Sequence, residues 1–246
     1  MRRLDSAFAA LALIASAPAS AAQVNVAVAA NFTEAAKVIA AGFRTSTGHE
    51  AILSFGSSGQ LYAQISQSAP FKVFLSADAE RPEQAVKAGL AVAESRFTYA
   101  LGRLVLWSRD PSLVKGPETL KSAAFSKIAI ANPTAAPYGV AGLETLKALG
   151  AHDTLRSKIV LGASIAQTLQ FADTGNAELG FVALAQLAGR QGGSRWEPPQ
   201  SMYSPIRQDA VLLANGRDDE AAQAFMAYLR APEARKVIAG FGYGVD

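Results

Sequence analysis

The chain has 246 residues, of which 50% are hydrophobic, and it contains no cysteine. The absence of cysteine excludes disulfides, thiolate metal ligands, thiol nucleophiles and a lipid-modified cysteine anchor. The formal net charge is +3, and lysine and arginine are scattered along the sequence, so we expect no nucleic acid as a partner.

Residues 1–22 have the features of a secretory signal peptide. Two arginines follow the first methionine, residues 7–17 are almost entirely apolar, and Ser20-Ala21-Ala22 is typical of a cleavage site. The apolar run is shorter than the ~20 residues that span a bilayer. We therefore expect cleavage before Gln23, and an exported chain long enough for one large domain or two lobes.

Strands and helices alternate along the predicted mature chain. Valines at every second position from Val24 to Val28 indicate a strand, and after Asn31 the apolar residues follow helical spacing up to Phe43. Asn31 is a favoured N-cap residue, so we expect it to cap this helix. Further strands are predicted at residues 50–54, 71–76, 99–107, 127–131, 158–161, 179–183 and 210–214, and residues 190–199 are predicted to form a loop. Because helices follow most of these strands, the pattern predicts an α/β fold with a parallel sheet covered on both faces.

At four places in the sequence a strand ends in small or polar residues and a helix begins. These junctions are Ala30-Asn31, Ser57-Ser58, Pro137-Tyr138 and Ser164-Ile165. Each helix start has unpaired N–H groups and a partial positive charge, and ligands of open α/β sheets bind where such starts converge. None of the junctions contains lysine or arginine. They therefore predict a site of neutral donors for a small, fully deprotonated oxyanion, the alternative for each junction being an ordinary helix cap.

Other chemistries have weaker signals in the sequence. Ser57 and Ser58 lie in a G-S-S-G segment, which differs from the G-x-S-x-G nucleophile elbow. A catalytic triad would have to recruit His49 or His152, and we expect both histidines in surface loops. Their spacing matches no metal-binding motif, so a catalytic metal is not expected. A secreted serine hydrolase is kept as the alternative from another class.

Six segments, in this order, carry a resemblance to a known family. They are VAVAANFTEA, SFGSSGQLYAQI, APFKVFLSAD, IAIANPTAAPYG, LGFVALAQL and YLRAPEARKVIAGFGYG, and together they span nearly all of the predicted mature chain. The chain resembles the periplasmic molybdate-binding proteins of ABC transporters, which have the type II periplasmic binding protein fold. The resemblance implies two lobes, each a mainly parallel sheet flanked by helices, joined by two crossover strands. Lobe I would comprise residues 23–99 and 206–246, and lobe II residues 100–205.

The function that this resemblance implies is binding and not catalysis. Such a protein captures molybdate, and also tungstate, between its lobes and delivers the anion to an ABC transporter permease at the inner membrane. We expect a periplasmic monomer without a cofactor. No metal would be coordinated by side chains, since molybdenum is bound as its oxyanion.

The family's binding positions carry over one at a time to five residues of this chain. They are Ala30, Asn31, Ser58, Tyr138 and Ile165. In the family several of these contacts come from backbone N–H groups, so an apolar residue such as Ala30 or Ile165 can serve.

Three positions depart from the family pattern. Many members have serine in place of Asn31, tyrosine in place of Ala183, and an acid in place of Lys72, which we expect near the rim of the cleft. Tyr138 would compensate for the tyrosine that Ala183 replaces. These departures leave a receptor for another small oxyanion, such as sulfate, phosphate or a phosphonate, as the alternative function.

Overall fold

The computed structural model describes residues 21–245, so the predicted signal peptide lies outside the described residues except for its last two positions. Within the described part of the chain, no helix has the length and apolar character needed to cross a membrane.

Ten strands in the described residues form two five-stranded sheets. The first sheet contains β1 (Gln23–Ala29), β2 (Glu50–Gly56), β3 (Val73–Leu75), β4 (Phe97–Gly102) and β10 (Ile206–Leu212), in the order β2-β1-β3-β10-β4. The second contains β5 (Leu104–Ser108), β6 (Ile128–Ala131), β7 (Ile159–Gly162), β8 (Leu179–Ala183) and β9 (Ser194–Trp196), in the order β7-β6-β8-β5-β9. In each sheet one strand, β10 or β5, runs opposite to the other four. The two sheets therefore share one topology and are mainly parallel, as predicted.

Helices flank both sheets. Those that pack with the first sheet are α1 (Thr33–Thr47), α2 (Ser58–Ser66), α3 (Glu80–Lys87), α7 (Glu220–Arg230) and α8 (Pro232–Gly240), and those of the second are α4 (Pro137–Ala148), α5 (His152–Leu155) and α6 (Ile165–Thr174). We call the first sheet with its helices lobe I, and the second sheet with its helices lobe II. Successive side chains of a strand point to opposite faces. Accordingly, Val26 packs in a core with Phe43 of α1, and its neighbour Ala27 packs in another core with Leu61 of α2.

The predicted strand at residues 99–107 is in fact two strands in different sheets. β4 ends at Gly102 in lobe I, and β5 begins at Leu104 in lobe II. The crossing is marked in the sequence only by Gly102 and the exposed Arg103, an interruption of two residues within one apolar segment. The chain returns to lobe I between β9 and β10. The proposed division of the chain at residues 99/100 and 205/206 stays a prediction.

Two further predictions are corrected by the structure. Asn31 does not cap α1, because residues Ala30–Phe32 form a 3-10 turn and α1 begins at Thr33 without a side-chain cap. The amide of Asn31 instead turns into the protein, where it has polar partners. Residues 190–199 contain a short strand, β9, which pairs with β5.

Candidate functional site

Four helix starts, two from each lobe, line one small cavity between the lobes. The carboxyl ends of β1, β2, β6 and β7 lead into them. The lining residues are Ala29, Ala30, Asn31, Ser57, Ser58, Ala77, Ala136, Pro137, Tyr138 and Ile165. The structure thus brings together all five residues predicted for the site, and every predicted junction contributes. None of the lining residues is an acid, a lysine or an arginine.

Ser58 is the side-chain donor that is best placed for a ligand. It is buried, and its Oγ accepts a hydrogen bond of 2.9 Å from the backbone N–H of Ala77. In the described part of the chain its own hydroxyl proton has no acceptor. The neighbouring Ser57 has a different role, since it caps α2 in a capping box with Gln60. One serine therefore fixes the helix start, and the other is left to donate.

The backbone supplies further donors at the cavity. Ser58 and Ile165 are the first residues of α2 and α6, and Tyr138 is the second residue of α4, so their N–H groups have no acceptor within their own helices. Ser164 caps α6 by accepting from the N–H of Gln167 at 3.3 Å. Such helix starts attract anions through their free N–H groups and the helix dipole.

The side chains of Asn31 and Tyr138 both form a hydrogen bond with a third residue, Gln208. Asn31 Nδ2 donates to Gln208 Oε1 at 2.8 Å, and Gln208 Nε2 donates to the Tyr138 hydroxyl at 3.2 Å. Asn31 Nδ2 also donates to the hydroxyl of Tyr243 at 3.1 Å. Both amide protons of Asn31 are thus used within the protein, whereas the Tyr138 hydroxyl accepts from Gln208 and its own proton has no acceptor among the described residues.

Burial keeps the tyrosines of this network neutral. It is the main cause that raises the pKa of Tyr99, Tyr138 and Tyr243 well above the ordinary value for tyrosine. Their hydroxyls therefore keep their protons at physiological pH and place no negative charge beside the cavity.

The lobes touch each other directly beside the cavity. The N–H of Gly59 in α2 donates to the carbonyl of Ala135 in lobe II at 2.9 Å. Arg81 of α3 forms an ion pair with Asp78 and donates from Nη2 to the carbonyl of Thr134 at 3.1 Å. The structure is therefore a closed form. The cavity enclosed between the lobes has a volume of about 10 Å³.

The expected place of Lys72 at the cleft rim is wrong. Lys72 precedes β3, whereas the cavity lies beyond the other end of that strand, and its ammonium pairs with Asp219 before α7. Ala183 is buried at the end of β8, where its N–H donates to Gln186 Oε1 at 3.0 Å, and it does not line the cavity.

The histidines do not complete a catalytic triad. His49 is buried, contrary to the surface loop that we expected, and its Nδ1 accepts from the N–H of Ala22 at 3.2 Å. His152 begins the short helix α5 and contacts Asp153. Among the described residues, neither Ser57 nor Ser58 forms a hydrogen bond with a histidine.

Gln208 is the main residue of this region that the sequence patterns missed. It and Asp209 are buried polar residues in β10, a strand that is otherwise mostly apolar. These two polar residues within an apolar strand were the signal from which a special role could have been suspected. The partners of Gln208 could not be identified from it, because Asn31 lies 177 residues away in sequence.

Two lobes that close on a cavity of neutral donors define a binding protein for a small solute. The profile of the family described as bacterial extracellular solute-binding protein matches residues 24–244. The chain belongs to this family.

Similar proteins include two that are named for molybdate. The chain is 53% identical over 226 residues to the molybdate-binding protein ModA of Rhodobacter capsulatus, covering 92% of this chain and 90% of that protein. It is also 53% identical over 232 residues to ModA of Azotobacter vinelandii, covering 93% and 92%. The solved structure of a periplasmic molybdate-binding protein from Azotobacter vinelandii matches with a TM-score of 0.88 at 41% identity, over 91% of this chain and 99% of that one. This match confirms the predicted two-lobed type II periplasmic binding protein fold.

Proposed function

We propose that this chain is a periplasmic receptor that captures molybdate between its two lobes and delivers it to an ABC importer. The observation that carries the proposal is the cavity that all four predicted helix starts line, with Ser58 as a free hydroxyl donor and no charged side chain. The molybdate-binding proteins to which the chain is 53% identical supply the choice of anion.

The ligand would be held by donors from both lobes. We propose that backbone N–H groups of Ala30, Asn31, Tyr138 and Ile165 bind it, and that Ser58 binds it through both its N–H and its hydroxyl. Donors from the two lobes reach one anion only when the lobes are close together. Binding therefore shifts the population towards the closed form, which is the form that the permease would receive.

The same donors favour a fully deprotonated anion. The hydroxyls of Ser58 and Tyr138 already accept from Ala77 and Gln208, so each has its proton to donate. Phosphate carries a proton at neutral pH, and no carboxylate lines the cavity to accept that proton, which disfavours phosphate relative to a fully deprotonated anion. Sulfate lacks the proton but is smaller than molybdate, so its exclusion would depend on the size of the closed cavity.

Tungstate would bind in the same way. It has the charge and shape of molybdate, and no feature of the cavity separates the two anions. We further propose that the protein acts as a monomer, without a cofactor or a catalytic step, and that residues 1–22 direct it to the periplasm. Its rigid units would be residues 23–99 with 206–246, and residues 100–205.

Calorimetric titration of the mature protein tests this proposal. Molybdate and tungstate should each bind tightly with one-to-one stoichiometry, and neither sulfate nor phosphate should compete. Heat with sulfate, phosphate or a phosphonate, and none with molybdate, would replace the proposed substrate by the alternative oxyanion while leaving the site in place.

A further inference from the structure

Gln208 is a polar residue in the connection between the lobes. It is 0% exposed and lies on β10, the strand by which the chain re-enters lobe I. The register of β10 against β4 shifts between Gln208 and Asp209, so the strand is irregular at this point. A buried amide is tolerated when its oxygen and nitrogen both have partners, and the partners of Gln208 indicate its role.

The side chain of Gln208 contacts one site residue from each lobe. Its oxygen accepts from Asn31 at the first helix start of lobe I, and its nitrogen donates to Tyr138 at the start of α4 in lobe II. The hydroxyl of Tyr99 on β4 lies 3.2 Å from the same oxygen. One amide therefore bridges the two halves of the anion site.

A glycine of β4 lies directly against this bridge. Gly102 ends β4, and a Cβ atom at this position would lie 2.3 Å from the Tyr138 hydroxyl and 2.8 Å from Gln208 Nε2. Real Cβ atoms do not approach other atoms so closely. The missing side chain of Gly102 thus makes the space in which Tyr138 and Gln208 meet.

Asn31 is anchored on its other side as well. Its second amide proton goes to the Tyr243 hydroxyl, and that hydroxyl donates to the backbone carbonyl of Asn31 at 2.8 Å. Both protons of the Asn31 amide are therefore used inside the protein. Its side chain fixes the turn at residues 30–32, and its N–H is left for the anion.

We infer that Gln208 is a positioning residue of the anion site, which aligns Asn31 and Tyr138 and couples anion binding to closure of the lobes. The inference rests on the proposed function. Because Asn31 belongs to lobe I and Tyr138 to lobe II, Gln208 keeps both bonds only while the lobes are together. Loss of its amide therefore destabilises the closed form more than the open form.

The variant Gln208→Met tests this inference, since methionine keeps the length of the side chain and removes both polar groups. We expect molybdate to bind roughly tenfold more weakly, mainly through faster dissociation, because partner groups lose their hydrogen bonds in the closed form. The matched control is Thr145→Val in α4, which removes a buried hydroxyl whose bond to Ala141 stays within one helix. The control should leave association and dissociation rates unchanged.

A double-mutant cycle with Tyr138→Phe separates positioning from a merely structural role. If Gln208 acts through Tyr138, the loss of affinity in the double variant is smaller than the two single losses combined. A structural role would lower the urea midpoint and leave the dissociation rate of molybdate unchanged.

Tyr138→Phe can also be used by itself if Gln208→Met does not fold, and it too should speed the dissociation of molybdate. Unchanged dissociation in every folded variant, with binding by the wild type, would overturn the inference. No binding by the wild type would overturn the proposed function and the inference with it.

Discussion

At the scale of single residues, Ser57 and Ser58 illustrate how neighbours of one type divide two tasks. Ser57 fixes the start of α2 by bonding to Gln60, whereas Ser58 accepts from Ala77 and keeps its proton free. The sequence indicated that a serine at this junction would act as a donor. The sequence did not show that the Ser58 oxygen already accepts from the N–H of Ala77. Ala77 follows β3, so its position beside Ser58 depends on the packing of that strand and not on the local sequence pattern.

Substitution of Ser58 by alanine should weaken molybdate binding and leave the fold intact. A hydrogen bond to a charged group contributes about 1.5–3 kcal/mol, so we expect a loss of affinity between roughly tenfold and a hundredfold. Calorimetry gives the affinity, and thermal unfolding of the ligand-free protein checks the fold. Ser66→Ala at the exposed end of α2 is the control, because the Ser66 hydroxyl only bonds to the carbonyl of Tyr62. Equal affinity in the Ser58 variant and the wild type would remove Ser58 from the site.

The buried tyrosines predict how stability depends on pH. Burial raises the pKa of Tyr99, Tyr138 and Tyr243 in the folded protein, while in the unfolded chain they ionise near the ordinary value of about 10. Above that pH the unfolded state binds fewer protons than the folded state, so the free energy of unfolding decreases as the pH rises.

Urea unfolding between pH 7 and pH 11 measures this dependence. The contribution of these tyrosines should be constant up to about pH 9 and fall above about pH 10. Tyr138→Phe should make the decrease in the free energy of unfolding less steep. Tyr62→Phe, at a half-buried position of α2, is the comparison variant. Identical slopes for the wild type and the Tyr138 variant would contradict the assignment of the fall to Tyr138.

At the scale of secondary-structure elements, the first turn of α2 does more than present Ser58. Its next residue, Gly59, donates to the carbonyl of Ala135 in lobe II. A Cβ atom at Gly59 would lie 3.0 Å from the Cα atom of Ala135 and 3.1 Å from its carbonyl oxygen. The close approach of these two backbones therefore depends on the absence of a side chain.

Gly59→Ala should hinder closure without harming lobe I. Alanine is the better helix former, so the ligand-free protein should be as stable as the wild type or slightly more stable. Closed lobes, in contrast, would have to move apart by a few tenths of an ångström, and molybdate should dissociate several-fold faster. Stopped-flow displacement measures that rate. Gly240→Ala is the matched control, because a Cβ atom at Gly240 meets no atom within 4 Å. Equal dissociation rates in both glycine variants would show that the contact with Ala135 does not govern closure.

At the scale of the whole molecule, much of the fold could be predicted because it follows from local patterns. Alternating and helical periods gave the order of strands and helices, and the small or polar residues after strands gave the four junctions. Periodicity alone predicted one strand where β4 and β5 lie, because only Gly102 and Arg103 interrupt the apolar residues there, and the crossover was expected only from the resemblance. The Gln208 network was missed for another reason, since the bonds of Gln208 to Tyr138, Tyr99 and Asn31 span 70, 109 and 177 positions. Such contacts are decided by how distant segments pack within lobe I and by how the two lobes meet, which no local period records.

The same geometry predicts a measurable motion of the lobes. Since the chain contains no cysteine, Gln64→Cys on α2 and Lys147→Cys on α4 would place one fluorescent label on an exposed position of each lobe. Molybdate should raise the energy transfer between the labels, because the anion is held by donors of both lobes and so favours the closed form. Adding Gly59→Ala to this pair should reduce the increase at saturating molybdate, and adding Ser58→Ala should shift only the concentration needed to reach it. A change that molybdate produces equally in all three proteins would mean that closure does not depend on these contacts. No change in any of them, with binding intact, would mean that the anion binds without moving the lobes.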